Sequence, residues 1–366
     1  MFVRIISFLA ALSLIFSCAG CSAAENVSVG AVNTIPETGI CDEASAAVLY
    51  CPDNKEVIYG HHIHEKRAIA SVTKVMTAII ALEYAEKNDK IVTVTEKMYA
   101  EGSSMYLKAG DKLELSEIVK GMMAVSGNDA ANAAALTVAG SQEDFAALMN
   151  KKAAELGMED SHFVTPSGLD DEVHYSSAYD MALLCAYAMR NKTFRDIVSR
   201  KSIEVKYVSP KDKVQTLYNH NKLLSLCEGC TGIKTGYTQK AGRTLTSSCE
   251  RDGAELIAVT LNDRNDWNDH CRMYDMGFEI IENIPLCGSS EIRVKMPVAS
   301  DKDEYVTLVP DKIPEVTIYK EDENKIRTVV YAPKFVYAPV VKRRNYGTVS
   351  FTLDGKEIAR CHLIPE

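Results

Sequence analysis

The spacing of apolar and polar positions divides the chain into three textures. Residues 44–50 and 57–59 read as two strands around the Pro52-Asp53-Asn54 turn. From residue 71 the period lengthens to roughly 3.6. Val72, Val75, Met76, Ile79 and Ile80 share one face, and Ala81 and Leu82 widen it, which predicts a helix over 71–86 buried on most sides. Further helices are predicted over 115–123, 129–139, 143–156 and 177–189, several of them rich in Ala. Strands return at 231–234, 243–249 and 255–261, so this order fits a mixed α/β sheet with an inserted helical cluster. After Gly277 the segments 291–298, 305–309, 316–319, 326–331 and 349–353 alternate over short runs broken by Pro, Asp and Gly. Asp354-Gly355 between two such runs predicts a tight hairpin. A first domain over 41–283 and a small all-β domain over 284–366 follow from this pattern.

The first residues change the expected compartment. Arg4 precedes an apolar run over 5–16, and Ser22-Ala23-Ala24 supplies small residues for cleavage, so 1–24 reads as an export leader. The run is shorter than the roughly 18 residues a membrane span requires. Ala19-Gly20-Cys21 offers lipidation at Cys21 as a second route of processing, and the polar residues 25–40 read as a linker. With 41 Lys and Arg against 50 Asp and Glu, the net charge is −9, which argues against general binding to a nucleic-acid backbone. Export makes the cysteines informative. Nine of the 11 lie beyond the leader, an odd number, so at least one stays unpaired or pairs between molecules. Cys227-Glu-Gly-Cys230 is the one close pair and reads as a local disulfide or two buried thiols, since a single CxxC is half a zinc ligand set. His61, His62 and His64 read as a surface turn.

Three short motifs carry chemistry. Ser71-Val72-Thr73-Lys74 opens the buried helix and sets a hydroxyl and an amine on one helical face. A Lys held in a dry pocket sheds its proton and can activate the serine, and the helix start offers backbone N–H groups to an oxyanion. Ser126-Gly127-Asn128 follows in a loop before an Ala-rich helix, and Lys234-Thr235-Gly236 on a strand. Each motif alone also describes a helix cap or a strand end. In this order they form the Ser-x-x-Lys, Ser-x-Asn and Lys-Thr-Gly signature of penicillin-binding proteins and class A β-lactamases. A cationic Lys with a Thr hydroxyl suits a substrate ending in a carboxylate.

From about residue 44 to 348 the sequence resembles the low-molecular-weight penicillin-binding proteins that act as serine D-alanyl-D-alanine carboxypeptidases. RAIASVTKVMTA, YLKAGDKLELSEIVKGMMAVSGNDAANAAA, SSAYDMALL, NHNKLL and GCTGIKTGYTQKAG carry the likeness, and the β-rich tail with APVVKRRNYGTV is similar to that family's second domain. The resemblance implies an α/β, β-lactamase/transpeptidase-like catalytic domain with a helical subdomain, plus a small C-terminal all-β domain. It implies Ser71 as nucleophile, Lys74 as general base and Ser126 as proton relay. Asn128 would bind the substrate amide, and Lys234, Thr235 and Gly236 its terminal carboxylate and backbone. The oxyanion hole would use the N–H groups of Ser71 and Tyr237. The implied substrates are peptidoglycan stem peptides ending in D-Ala-D-Ala, with β-lactams as covalent inhibitors and no metal or organic cofactor.

Two departures stand out. Ser167, in Thr165-Pro166-Ser167-Gly168-Leu169, replaces the family's usual His, which bears on substrate preference. The sequence ends at Glu366 without the amphipathic helix that many members carry, so attachment is expected to depend on Cys21 lipidation, on an uncleaved leader, or on nothing. A β-lactamase would need a deacylating Glu between the second and third motifs, and Glu155, Glu159 and Glu172 sit in no matching motif. A D,D-endopeptidase of the same superfamily and a non-catalytic wall or β-lactam sensor remain alternatives.

Overall fold

The computed structural model describes residues 39–286, 292–299 and 305–366. The leader, Cys21, nearly all of the 25–40 linker and Cys287 lie outside these residues. The first domain is built on a five-stranded antiparallel sheet in the order β2-β1-β9-β8-β7. Its strands are β1 (Ala46–Cys51), β2 (Glu56–His61), β7 (Cys230–Thr238), β8 (Gly242–Arg251) and β9 (Ala254–Leu261). Successive residues of a strand point to opposite faces, and β1 uses both. Ala46, Val48 and Tyr50 join the core beneath the helical cluster, while Ala47, Leu49 and Cys51 join a second core under a C-terminal helix. Burial on both faces explains why β1 and β9 read as almost unbroken apolar runs.

The predicted helices form near their expected places. They are α1 (Lys74–Ala85), α2 (Leu115–Val125), α3 (Asn128–Ala139), α4 (Gln142–Glu155) and α5 (Ala178–Met189). One boundary matters for function: Ala70–Thr73 is a 3-10 turn, so α1 begins at Lys74 and not at Ser71. Several elements go beyond the sequence expectations. These are α6 (Lys192–Ser199), the one-turn α7 (Leu223–Leu226), α8 (Asp266–Ile280) and two small antiparallel pairs. The pairs are β3 (Ile91–Thr93) with β4 (Lys112–Glu114), and β5 (Ser202–Lys206) with β6 (Val214–Tyr218). Helix α8 covers the second face of the sheet through Met273 and Tyr274. It also inserts a polar group, because His270 is fully buried between Ser247 Oγ (2.6 Å from Nδ1) and Thr260 Oγ1 (3.1 Å from Nε2). Buried polar groups persist where they are hydrogen-bonded, and strand β8 supplies such partners along its length.

The chain crosses into its second part through β10 (Ile281–Pro285), which pairs with β13 (Glu315–Tyr319). Beyond it lies a six-stranded sheet in the order β14-β16-β17-β12-β11-β15. Its members are β11 (Val294–Ala299), β12 (Tyr305–Pro310), β14 (Arg327–Tyr331), β15 (Val336–Tyr337), β16 (Gly347–Leu353) and β17 (Lys356–Pro365). Asp354-Gly355 makes the β16–β17 hairpin, with both residues at positive φ. Met296, Leu308, Val349, Phe351 and Leu363 form a separate small core. Among the described residues no helix is long and apolar enough to cross a membrane.

Candidate active site

Ser71 sits on the 3-10 turn where the edge strand β7 meets the helical cluster. The backbone is forced there: Ala70 adopts φ 49°, a region that costs a non-glycine residue of order 1 kcal/mol. Thr244 Oγ1 on β8 donates to the Ile69 carbonyl at 3.0 Å and pins the approach to that turn. Gly236 lets β7 lie against it, since a Cβ there would stand 2.4 Å from Thr244 Oγ1 and 2.9 Å from the Ser71 nitrogen.

One turn into the cluster, Lys74 is fully buried. Its Nζ lies 2.8 Å from Ser71 Oγ, 2.7 Å from Asn128 Oδ1 and 2.6 Å from the Ser167 carbonyl. Two of these three partners are carbonyl oxygens, which can only accept. Nζ is placed to donate to all three, and on losing a proton the amine would keep two N–H donors for the carbonyls and have a lone pair for the Ser71 hydroxyl. Burial holds the Lys74 pKa well below the ordinary lysine value, and the Lys234 cation acts in the same direction against the opposing pull of Asp129.

The second motif straddles two helices. Ser126 ends α2 in the left-handed conformation (φ 61°), and Asn128 is the first residue of α3. Asn128 is engaged at both ends of its carboxamide, because Nδ2 donates to the Glu101 carbonyl at 2.6 Å while Oδ1 meets Lys74. The loop that supplies Glu101 is itself tied down: Asp129 accepts from Met105 N (2.8 Å), Leu107 N (3.0 Å) and Ser104 Oγ (2.7 Å). Ser126 is buried beside this group but is not among the three partners of Lys74.

The third motif lies on β7. Lys234 is buried and its Nζ donates to the Thr235 carbonyl at 2.7 Å. Burial pushes its pKa down to about 7, and among the described residues no carboxylate pairs with it. Tyr237, three residues on, is exposed. No group of three or more His, Cys, Asp or Glu among the described residues is placed to hold a metal ion.

The loop over 165–169 completes the site, and the sequence reasoning saw only part of it. Thr77 Oγ1 donates to the Pro166 carbonyl at 2.6 Å and Lys74 to that of Ser167, so one face of α1 clamps two successive peptide groups. It is thus the backbone of Ser167, not its side chain, that reaches the lysine. Gly168 follows at φ 79°, with Ala70 O only 2.0 Å from where a Cβ would stand. Gly168→Ala is therefore expected to lower stability by about 3 kcal/mol, read as a fall of several degrees in the melting midpoint.

His174 went unnoticed because no motif contains it. Val164 N and Thr165 N donate to its Nδ1 at 3.0 and 3.2 Å, which leaves the proton on Nε2 to donate to Thr73 Oγ1 at 2.8 Å. The ring thus joins the loop to the residue between Ser71 and Lys74, and burial pushes its pKa down to about 4. A histidine depressed in the folded state contributes stability that is lost as pH falls from the unfolded value near 6.5 through the folded one. The stability gap between wild type and His174→Gln should accordingly shrink by about 1.4 kcal/mol per pH unit below pH 6.5. Urea midpoints at pH 7 and pH 5 check this, and a constant gap contradicts it.

Comparison with known proteins identifies the family. Residues 36–265 match the peptidase S11 family, described as D-alanyl-D-alanine carboxypeptidase, and residues 282–366 match the penicillin-binding protein 5 C-terminal domain. The chain is 33% identical over 331 residues to D-alanyl-D-alanine carboxypeptidase DacF of Bacillus subtilis, covering 87% of this chain and 84% of that protein. It is 30% identical over 338 residues to DacA of Escherichia coli K12, covering 88% and 82%. Penicillin-binding protein 5 of Haemophilus influenzae superposes with a TM-score of 0.66 at 26% identity, covering 91% of this chain and 98% of that one. The Streptomyces K15 DD-transpeptidase superposes with a TM-score of 0.61 at 27% identity, covering 65% and 98%. With both of its parts matched in this way, the chain belongs to the peptidase S11 family of D-alanyl-D-alanine carboxypeptidases.

Proposed function

We propose that this protein removes the terminal D-Ala from peptidoglycan stem pentapeptides through an acyl-enzyme on Ser71. The observation that carries this is the fully buried Lys74, whose Nζ stands 2.8 Å from Ser71 Oγ with its other two partners both carbonyls. As Ser71 Oγ attacks the penultimate D-Ala carbonyl, Lys74 takes the hydroxyl proton. The Ser71 and Tyr237 N–H groups receive the developing oxyanion at the junction that Gly236 permits. Ser126 relays a proton to the leaving amine, and the C–N bond breaks to release D-Ala. Water then hydrolyses the Ser71 ester. Asn128 holds Lys74 in place and has one Nδ2 hydrogen left for the substrate.

Lys234 and Thr235 bind the terminal carboxylate, and Lys234 is suited to this because it is buried with no anionic partner among the described residues. A β-lactam enters the same site and leaves a long-lived acyl group on Ser71. We place the enzyme outside the cytoplasm, on the growing wall, with the leader exported and either cleaved after Ala24 or lipidated at Cys21.

The test is D-Ala release from a stem pentapeptide by the purified protein, alongside mass mapping of a benzylpenicillin adduct. Stoichiometric D-Ala with the adduct on the Ser71 peptide is the expected result. An adduct without release points instead to an endopeptidase or a sensor, and rapid penicillin hydrolysis to a β-lactamase.

A further inference from the structure

The proposed reaction leaves the Cys227-x-x-Cys230 turn unused. Cys227 follows α7 and Cys230 opens β7, and the Cys230 N–H closes the turn on the Cys227 carbonyl at 3.2 Å. Between them Gly229 adopts φ 79° and lies so close to β8 that a Cβ would stand 2.4 Å from the Glu250 carbonyl and 3.1 Å from Cys249 Sγ. The turn is therefore pressed onto Cys249. Cys249 Sγ lies 3.1 Å from the Glu228 carbonyl and Cys227 Sγ 3.9 Å from the same oxygen, so two thiols converge on one point.

A third arrives from α8, since Cys271 packs against the same core cluster that contains Cys227 and Cys249. Arg251 Nη2 stands 3.9 Å from Cys227 Sγ. The neighbouring Cys249 and Cys271 thiols and that guanidinium draw the Cys227 thiol below its ordinary pKa, while Cys249 and Cys271 are pushed up. Cys230 faces Cys249 across the β7–β8 ladder, but its own thiol turns to the Gly232 carbonyl at 3.3 Å. Several thiols gathered beside a guanidinium are the arrangement that thiol–disulfide exchange uses.

We propose that Cys227 is the reactive member of a three-thiol cluster and closes a disulfide with Cys249 or Cys271, cross-linking the entry to β7 to strand β8 or helix α8. A wall-acting enzyme works where disulfides persist, and the oxidant required is a low-molecular-weight disulfide. The Cys227 thiolate attacks one sulfur of that disulfide and expels a thiolate, forming a mixed disulfide. Cys249 or Cys271 gives its proton to the expelled thiolate and attacks the Cys227 sulfur, expelling the second small thiolate, which takes its proton from water. Two protein thiols are oxidised, and one small disulfide is reduced to two thiols.

Oxidised glutathione supplies the test. Purified reduced protein should lose two thiols, and its peptide map should join Cys227 to Cys249 or Cys271. Its melting midpoint should rise by roughly 5–10 °C, since the bond closes a loop of tens of residues. Cys227→Ser should keep every thiol under the same conditions, and the wild-type map decides the matter should that variant fold poorly. A full thiol count, a glutathione that stays on Cys227, or a map that joins Cys227 to Cys230 or omits it would overturn the proposal.

Discussion

Lys74→Met should slow both D-Ala release and β-lactam acylation by about 10³- to 10⁴-fold, the loss expected when a general base is removed from its nucleophile. Ser71→Ala should cost at least as much, and the double variant should be no slower than Ser71→Ala alone. The expectation rests on the geometry: once deprotonated, Lys74 has two N–H groups for the two carbonyls beside it and a lone pair for Ser71 Oγ, 2.8 Å away. Without that acceptor the serine stays a neutral alcohol, so the two residues act as a unit and their losses do not add. The same arrangement sets the pH response. Since the neutral amine is the active form, acylation should rise with pH through a Lys74 pKa displaced well below the ordinary lysine range. Stopped-flow acylation by a chromogenic β-lactam measures all of this. Additive losses in the double variant would show that Lys74 works somewhere other than on Ser71.

How much of this was legible in the sequence depends on where the controlling contact lies. Helix α1 was readable because Val75, Met76, Ile79 and Ile80, with Val72 in the turn before it, are all buried, and an apolar stripe leaves a local trace. Ser71, Lys74, Ser126 and Asn128 stand at element boundaries, where backbone conformation and side-chain identity are both constrained, whereas Lys234, Thr235 and Gly236 lie in mid-β7 and were readable from the order of the three motifs. Helix α8 was not readable. Its buried stripe runs through Asp266, Asp269, His270 and Gly277, and the sequence does not say that Ser247 and Thr260 will satisfy His270. His174 was missed for the same reason, its partner Thr73 lying 101 residues away. Asn128 shows the intermediate case. The motif marked it as functional, but only the fold places its Oδ1 on Lys74 and its Nδ2 on the Glu101 carbonyl. Polar side chains that satisfy one another across distant elements carry no periodicity, so one-dimensional pattern analysis passes over them.

Lys234→Met should separate function from stability in opposite directions. The wild-type ammonium is buried in β7 with the Thr235 carbonyl as its one partner among the described residues, and its pKa is pushed down to about 7. For a lysine depressed in the folded state, the unfolded chain binds more protons between that value and about 10.5, so stability rises with pH across this window and is poorest below it. Removing the amine lifts a cost of a few kcal/mol at pH 6, and the melting midpoint there should rise by several degrees while changing little at pH 10. Turnover should move the other way. A buried cation matched to a substrate carboxylate is worth about 2–5 kcal/mol, so kcat/KM should fall about 10²- to 10³-fold, mostly through KM. In the wild type, kcat/KM should decline above about pH 7 as the free enzyme loses the Lys234 proton. That descending limb should vanish in Lys234→Met, whereas the rise assigned to Lys74 should remain. A variant that is both less stable and unchanged in KM would mean that Lys234 supports the strand and does not meet the carboxylate. Amidation of the terminal carboxylate gives the complementary check, because the amidated peptide should be as poor a substrate for the wild type as the free acid is for Lys234→Met.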